Sequence, residues 1–216
     1  MPEAAFTIEP IATSEMLARV YAFDEHSYDV GVGGASANIP FALFTEWWAA
    51  FPSGFLCAFR AGEPQAVVGL FPVSAAWAGA FLSYATSERE LRAGDIRASD
   101  GRTWYFSGLS ANARHGRLGL RLPCVLGHAI LTWSQINARV LGGGPVAIVA
   151  EGTTSIGAKL LSRLLAVDAP PDGGRRRPRI KAMIDLAGVR HLLSESPFFR
   201  RCPGLREAAA AGLAAP

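Results

Sequence analysis

The segment from Trp104 to Val140 constrains the fold more than any other part of the chain. The run RTWYFSGLS is rich in aromatic residues, which predicts a buried strand ending at Leu109. A loop rich in glycine and arginine follows, and LRLPCVLGHAILTWSQINARV then places apolar residues at helical spacing. The next apolar run, PVAIVAE, is again typical of a strand. Strand, helix and strand in this order predict two parallel strands joined by a crossover.

The part of the chain before this segment predicts antiparallel strands and two helices. FTIEPI alternates like a short strand, and Thr13 or Ser14 then begins a helix that runs to about Asp24. SYDVGVGGASANIP is a glycine-rich loop before a second helix, FALFTEWWAAF, which Pro52 ends. GFLCAFR and QAVVGLFPVS predict two further strands.

The remaining segments complete a mixed α/β chain. ATSERELRAGDIRASDG predicts a polar connection with a short helix, TTSIGAKLLSRLLAV a helix and RIKAMIDLA a strand. The expected order is β-α-α-β-β-β-α-β-α-β, an antiparallel first half followed by a parallel β-loop-α-β-α unit. We expect one domain over residues 1–206 and an alanine-rich tail over residues 207–216.

An uncharged stretch lies between Glu63 and Glu88 and is long enough to span a bilayer. Pro72 interrupts it, so we expect two buried apolar strands there and no membrane helix. The chain begins with an acidic segment without a signal-like apolar run, and its three cysteines are far apart. These features predict a cytoplasmic protein with reduced thiols and no metal site.

The charge is divided unevenly along the chain. Residues 1–100 carry a net charge of −7 and residues 101–216 a net charge of +10. The basic second half indicates a site for an anion, although uneven placement of solubilising charge explains it equally well. A basic run comprises Arg175, Arg176, Arg177, Arg179 and Lys181. It could bind an acidic carrier protein or an adenosine 3′-phosphate, and a plain solvated loop explains it without any partner. A nucleic-acid partner is not expected, because no aromatic residues are interleaved with the arginines.

The loop between the Trp104 strand and the long helix is suited to phosphate binding. The first N–H groups of a helix lack internal partners and carry partial positive charge. Arg114, Arg117 and Arg121 add charge around this rim, and Gly116 and Gly119 let the backbone approach a ligand closely.

The same loop resembles the signature of the GCN5-related N-acetyltransferase (GNAT) family, Val-x-Pro-x-x-Gln/Arg-x-x-Gly-x-Gly/Ala. Leu109 stands at the Val position, Arg114 at the Gln/Arg position and Gly119 at the last Gly. Ala111 replaces Pro, and Arg117 replaces the middle Gly that usually faces the pyrophosphate of coenzyme A. Arg117 is compatible with a backbone N–H still offered to phosphate, or with a degraded site. The chain is therefore identified as a divergent GNAT member over roughly residues 6–186.

The resemblance implies a splayed groove between the Trp104 strand and PVAIVAE, with acetyl-CoA or another acyl-CoA bound in it. The positions that the resemblance assigns to the co-substrate are Phe106, Leu109, Arg114, His115, Gly116, Arg117, Leu118, Gly119 and Leu120. The family often has a tyrosine acid in the following helix, and Leu161 occupies that position here.

Acyl transfer from a thioester to an amine needs a base for the amine and donors near the carbonyl. The segment FDEHSYD offers Asp24, Glu25, His26 and Asp29 as candidate bases, in the region that lines the acceptor pocket in this family, and we select Glu25 and His26 as the catalytic candidates. Tyr105 lies on the strand before the loop, where its phenol would reach the thioester. Without any catalytic role, the titratable residues of FDEHSYD would be a solvated helix end, and Tyr105 would be an ordinary half-buried strand residue.

The resulting hypothesis is an acyl-CoA-dependent N-acyltransferase, with acetyl-CoA as the simplest donor. A small-molecule or peptide amine would attack directly in a ternary complex, and a homodimer is compatible with the sequence. One alternative is a catalytically degenerate module that binds or senses coenzyme A, which Arg117 and Leu161 favour. The other is a related transferase that takes its donor from acyl carrier protein or aminoacyl-tRNA, which the basic second half favours.

Overall fold

The computed structural model describes residues 6–32, 39–111, 147–152 and 180–185 of the chain. Within these ranges, six strands form one sheet in the order β1-β2-β3-β4-β5-β6. The strands are β1 (Phe6–Pro10), β2 (Phe55–Arg60), β3 (Glu63–Pro72), β4 (Thr103–Ala111), β5 (Ala147–Gly152) and β6 (Ile180–Asp185). Neighbours are antiparallel except for β4 and β5, which are parallel. The predicted mixed sheet, with its antiparallel first half and its parallel crossover, is confirmed.

Four helices are described in the same ranges: α1 (Ser14–Val32), α2 (Phe41–Ala50), α3 (Ala75–Leu82) and α4 (Ala93–Arg97). Short 3₁₀ turns lie at Pro52–Gly54 and Glu88–Glu90. No helix in these ranges has both the length and the apolar character needed to cross a lipid bilayer. The predicted helices over residues 121–140 and 153–167, and the predicted domain boundary at residue 206, lie outside the described residues.

Helix α1 begins where the sequence predicts but continues past its expected end. The hydroxyl of Thr13 accepts a hydrogen bond from the N–H of Met16 at 3.2 Å, so Thr13 is the N-cap. The helix then runs to Val32 rather than ending near Asp24. The prediction failed because the polar run after Asp24 breaks the apolar periodicity, yet no glycine or proline interrupts the helix before Gly31. Residues 25–30 are therefore helical and not a loop.

The second apolar run after Pro72 was predicted as a strand and is instead helix α3. Its N-cap, Ser74, accepts a hydrogen bond from the N–H of Trp77 at 3.1 Å. The run AAWAGAFL is alanine-rich, and alanine is the best helix former. Helices α3 and α4 thus lie within residues 73–102, which we call the β3–β4 connection.

The core lies between one face of the sheet and helices α1–α4. Its largest side chains are aromatic and include Phe44, Trp47, Phe55, Phe71, Phe81 and Tyr105. The indole Nε1 of Trp47 donates to the carbonyl of Leu91 at 2.9 Å, and a carboxylate oxygen of Glu46 accepts from the N–H of Ala93 at 2.7 Å. These two contacts hold the β3–β4 connection against α2.

Two glycine substitutions are expected to change stability in opposite directions. A Cβ at Gly54 would overlap the ring of Phe71, which is fully buried, so Gly54→Ala should lower the free energy of unfolding by about 1–3 kcal/mol. A Cβ at Gly79, exposed within α3, would meet nothing within 4 Å, so Gly79→Ala should raise it by about 0.5–1 kcal/mol. Urea denaturation measures both values. An unchanged free energy of unfolding in Gly54→Ala would contradict the close packing of Gly54 against Phe71.

Candidate functional site

Strands β4 and β5 part from each other halfway along β4. Their parallel pairing runs from Thr103 opposite Ala147 to Phe106 opposite Ala150. Beyond this point β4 continues to Ala111 beside β3, whereas β5 continues to Gly152 beside β6. In the register described for these strands, residues 107–111 have no partner in β5. The backbone of β4 therefore presents an edge inside the sheet, where an extended ligand can pair.

A β-bulge lies at the point of this split. The register between β3 and β4 shifts at Gly69, which leaves Ser107 as the extra residue in β4. The neighbouring Gly108 has a φ of 155°, which residues other than glycine rarely adopt. A Cβ at Gly69 would collide with the side chain of Ser107, so glycine is what lets Ser107 lie across β3. Bulges of this kind re-aim a strand next to a binding site.

Tyr105, Glu151 and Lys181 share one face of the sheet beside the split. Tyr105 pairs with Val149, and Glu151 lies two residues beyond Val149, so both side chains leave the sheet on the same side. Lys181 of β6 is the register partner of Glu151 and points to that side as well. Tyr105 is 1% exposed and Lys181 is 3% exposed. This is also the face that α3 covers, since Trp77 and Phe81 pack edge-on against Tyr105.

Glu88 enters this site from the β3–β4 connection. Its side chain is half-buried, and its carboxylate accepts a hydrogen bond from the hydroxyl of Tyr105. Burial raises the pKa of Glu88 from an ordinary 4.5 to about 8. The negative charges of Glu151 and Asp24 act in the same direction, and the Tyr105 hydrogen bond opposes them in part. A carboxyl group with such a pKa exchanges protons near neutral pH.

The structure separates the catalytic residues predicted from the sequence. Tyr105 lies in the site, bonded to Glu88. Glu25 lies half-buried on α1, where its charge adds to burial in raising the pKa of Tyr21. His26 is exposed on the same helix. The α1 residue whose charge reaches Glu88 is Asp24, which is 8% exposed.

Glu88 and Glu151 were not predicted as site residues from the sequence. Glu151 carried a usable signal, because it lies near the carboxyl end of a strand that follows a predicted crossover, and ligands bind beyond such strand ends. Glu88 carried none, since the segment SERE is typical of a solvated turn. Its carboxyl group is buried in the fold, where Tyr105 of β4 donates a hydrogen bond to it and the charges of Glu151 of β5 and Asp24 of α1 act on it.

The co-substrate positions predicted from the sequence fall partly within the described residues. Phe106 forms the last β4–β5 pair, and Leu109 follows the bulge opposite Val68. Residues 114–120, which would bind the pyrophosphate, lie outside the described residues, as do Leu161 and Arg175–Arg179. In the described part of the chain, no group of three or more His, Cys, Asp or Glu side chains could hold a metal ion.

No family model matches the chain, and no curated protein matches it in sequence. Solved structures share its architecture, among them two with a TM-score above 0.5. Ard1 from Thermoplasma volcanium is 10% identical and has a TM-score of 0.53, with 84% of this chain and 97% of that chain covered. A putative acetyltransferase of the GNAT family from Desulfovibrio desulfuricans is 12% identical and also has a TM-score of 0.53, with 84% and 99% covered. The chain has the GNAT fold, as the resemblance implied.

Proposed function

We propose that the protein is a divergent acyl-CoA-dependent N-acyltransferase that acts by direct attack of an amine within a ternary complex. The GNAT fold supports acyl transfer as the class of reaction. The observation that carries the proposal is the carboxyl group of Glu88, which is desolvated and hydrogen-bonded by Tyr105 beside the β4–β5 split. A proton-exchanging group thus lies next to an open strand edge.

The donor is assigned to the split. Extended amide groups of the pantetheine arm would pair with the backbone of residues 107–111 like an added strand, which leaves the thioester near the last β4–β5 pair. Phe106 and Leu109 keep their predicted contact with the co-substrate in this arrangement. The predicted binding of the pyrophosphate by residues 114–120 completes the proposal, and acetyl-CoA is the simplest donor.

The acceptor is assigned to the face that carries Glu88. The negative charges of Glu151 and Asp24 near Glu88 favour an approaching ammonium group. Glu88 with a pKa of about 8 is suited to act as general base near neutral pH. We assign this role to Glu88 in place of Glu25 and His26. The pH profile of the wild type and of Glu88→Gln distinguishes between these candidates.

The proton balance follows from the Tyr105–Glu88 hydrogen bond. The amine nitrogen attacks the thioester carbon, the C–S bond breaks, and the nitrogen loses a proton to the carboxylate of Glu88. Tyr105 donates its proton to the departing thiolate and recovers one from Glu88. The products are the amide and the free thiol, and both side chains return to their starting states.

Isothermal titration with acetyl-CoA, followed by assays of thiol release with a panel of amines, tests the proposal. We expect saturable binding with a Kd between about 1 µM and 1 mM and thiol release with at least one amine. Acetyl-pantetheine, which lacks the pyrophosphate and the adenosine, is the matched ligand and should bind more weakly.

Three results would contradict the proposal. The absence of binding at millimolar acetyl-CoA would remove the donor. Binding without turnover across the panel would indicate the degenerate module that binds or senses coenzyme A. Turnover with acyl carrier protein or aminoacyl-tRNA alone, with strongly salt-dependent affinity, would indicate the alternative donors.

A further inference from the structure

Lys181 is the most deeply buried charged side chain among the described residues, and main-chain carbonyls of the β3–β4 connection bind it. Its Nζ donates to the carbonyl of Phe81 at 2.7 Å and to the carbonyl of Thr86 at 3.0 Å. Its Nζ also lies 4.1 Å from the ring centre of Phe81 and 4.5 Å from that of Tyr84. Two charge-assisted hydrogen bonds and two cation–π contacts offset the cost of burying an ammonium group.

The same contacts hold a strained residue in place. Tyr84 has a φ of 61°, which is uncommon for an aromatic residue. Its hydroxyl accepts a hydrogen bond from the N–H of Lys181 at 3.3 Å, while its ring lies under the ammonium group. Such a backbone conformation persists where the surroundings over-determine it, and here Lys181 contributes twice to that constraint.

A short path links Lys181 to Glu88. Thr86, whose carbonyl Lys181 binds, donates from its hydroxyl to Glu90 at 3.0 Å. Glu90 also accepts from the N–H of Ser87 at 2.8 Å, and this capping box opens the 3₁₀ turn that begins with Glu88. Lys181 thus fixes the backbone two residues before Glu88, from a strand almost one hundred residues away along the chain.

We propose that Lys181 is a positioning residue: it binds the β3–β4 connection to β6 and thereby holds Glu88 against Tyr105. The expected effect on kcat rests on the proposed function. The expected effect on the position of Glu88 does not. The titratable and charged groups that face Glu88 are Tyr105 of β4, Glu151 of β5, Asp24 of α1 and Arg89 of its own turn. Lys181 acts on this group through the backbone of residues 81–86 and not as a contact of the substrate.

The first test compares Lys181→Met with the wild type in steady-state kinetics. Methionine keeps the apolar stem but cannot bind the two carbonyls, so Glu88 should shift relative to the acceptor. We expect kcat to fall about 10- to 100-fold while the KM for acetyl-CoA stays unchanged, because small misplacements of a catalytic group have effects of this size. Lys181→Arg should recover most of kcat, since a guanidinium also donates to carbonyls and packs on aromatic rings.

The second test measures the proton affinity of Glu88 without any substrate. The pKa of Glu88 is obtained from the pH dependence of unfolding in the wild type and in Glu88→Gln, with and without Lys181→Met. We expect Lys181→Met to bring this pKa from about 8 towards the ordinary 4.5, because the released carboxyl group becomes solvated. A merely structural lysine would lower stability equally at all pH values and leave the pKa unchanged.

Arg19 provides the matched control. Its guanidinium donates to the carbonyl of Gly62 at 2.6 Å and pairs with Glu63 at 3.2 Å, at an exposed turn between β2 and β3. Arg19→Met also removes a cation from a main-chain carbonyl, and it should change neither kcat nor the pKa of Glu88. If Lys181→Met does not fold, Tyr84→Leu weakens the same attachment and should shift both readouts in the same direction.

The outcomes separate this inference from the proposed function. An unchanged kcat and an unchanged pKa of Glu88 in Lys181→Met would overturn the inference while leaving an active wild type as an acyltransferase. A wild type without transferase activity would refute the proposed function. In that case a fall in the pKa of Glu88 in Lys181→Met would still establish Lys181 as its positioning residue, and an unchanged pKa would refute that as well.

Discussion

Replacing Glu88 with glutamine is expected to lower kcat/KM for acyl transfer by about 10²- to 10⁴-fold, the usual contribution of a general base. Glutamine keeps the size of the side chain and still accepts the hydrogen bond from Tyr105, but it cannot take a proton from the amine. The affinity for acetyl-CoA should stay the same, because the donor is assigned to the backbone of β4. Thiol release under steady-state conditions and calorimetric titration measure the two quantities.

The pH dependence of the wild type identifies the base. Glu88 must be ionised to act, so kcat/KM should rise with pH through about 8 and then level off. The amine also loses its proton in this direction, so two acceptors with different amine pKa values are compared. The rise that belongs to Glu88 stays at the same pH for both acceptors and is absent from Glu88→Gln.

Glu90→Gln is the control for this prediction. Glu90 lies two residues away and caps the same turn, and glutamine can fill that capping position as well. It should leave kcat/KM within about twofold of the wild type. If Glu88→Gln keeps full activity, or if its pH profile equals that of the wild type, Glu88 is not the base. Glu25 and His26 are then the candidates for the base.

The second large effect is on stability, and its sign follows from the raised pKa of Glu88. Between pH 4.5 and about 8 the folded chain keeps a proton on Glu88 that the unfolded chain releases. Stability therefore falls as the pH rises through this window and changes no further above it. Glu88→Gln has no such proton. Its free energy of unfolding relative to the wild type should therefore rise by on the order of a few kcal/mol between pH 5 and pH 9.

Urea denaturation of both proteins at pH 5 and at pH 9 measures this gain. The unfolding free energies are compared as the difference between variant and wild type at each pH, which cancels the titration of all other groups. Glu90→Gln is again the control. The carboxyl group of Glu90 is exposed and its pKa is lowered, mainly by the hydrogen bond from the backbone of Ser87, so the variant should show no gain towards pH 9. If the difference in unfolding free energy between Glu88→Gln and the wild type is the same at the two pH values, the carboxyl group of Glu88 in the wild type is solvated.

The strands and their order could be predicted because their signals are local. Period-two alternation and aromatic or β-branched residues indicated FTIEPI, GFLCAFR and RTWYFSGLS as strands, and each is one. The parallel pairing of β4 and β5 followed from the helix that the sequence predicts between them, since a short turn cannot join parallel strands. The strand-like interpretation of AAWAGAFL failed because a short apolar run carries no period that separates strand from buried helix.

The candidate site was only partly accessible from the sequence. Tyr105 could be singled out because its strand precedes a loop suited to phosphate. Glu25 and His26 were singled out by the density of titratable groups in FDEHSYD, a density that says nothing of which groups face the sheet. The extension of α1 makes His26 helical and places it at the surface, whereas Asp24, at the predicted end of the helix, is buried.

The sequence by itself determined the mixed sheet, the crossover and the strand that carries Tyr105, because alternation, capping and turn residues act within a few positions of one another. Only the tertiary structure decided that Glu88 is a desolvated carboxyl group bonded to Tyr105 and that Lys181 binds the segment before it. Both depend on side chains outside the β3–β4 connection: Tyr105 of the next strand, Glu151 of β5 and Lys181 of β6, of which the last two lie far away along the chain. The environment of a charged group is set by whatever packs around it, and no local pattern encodes that.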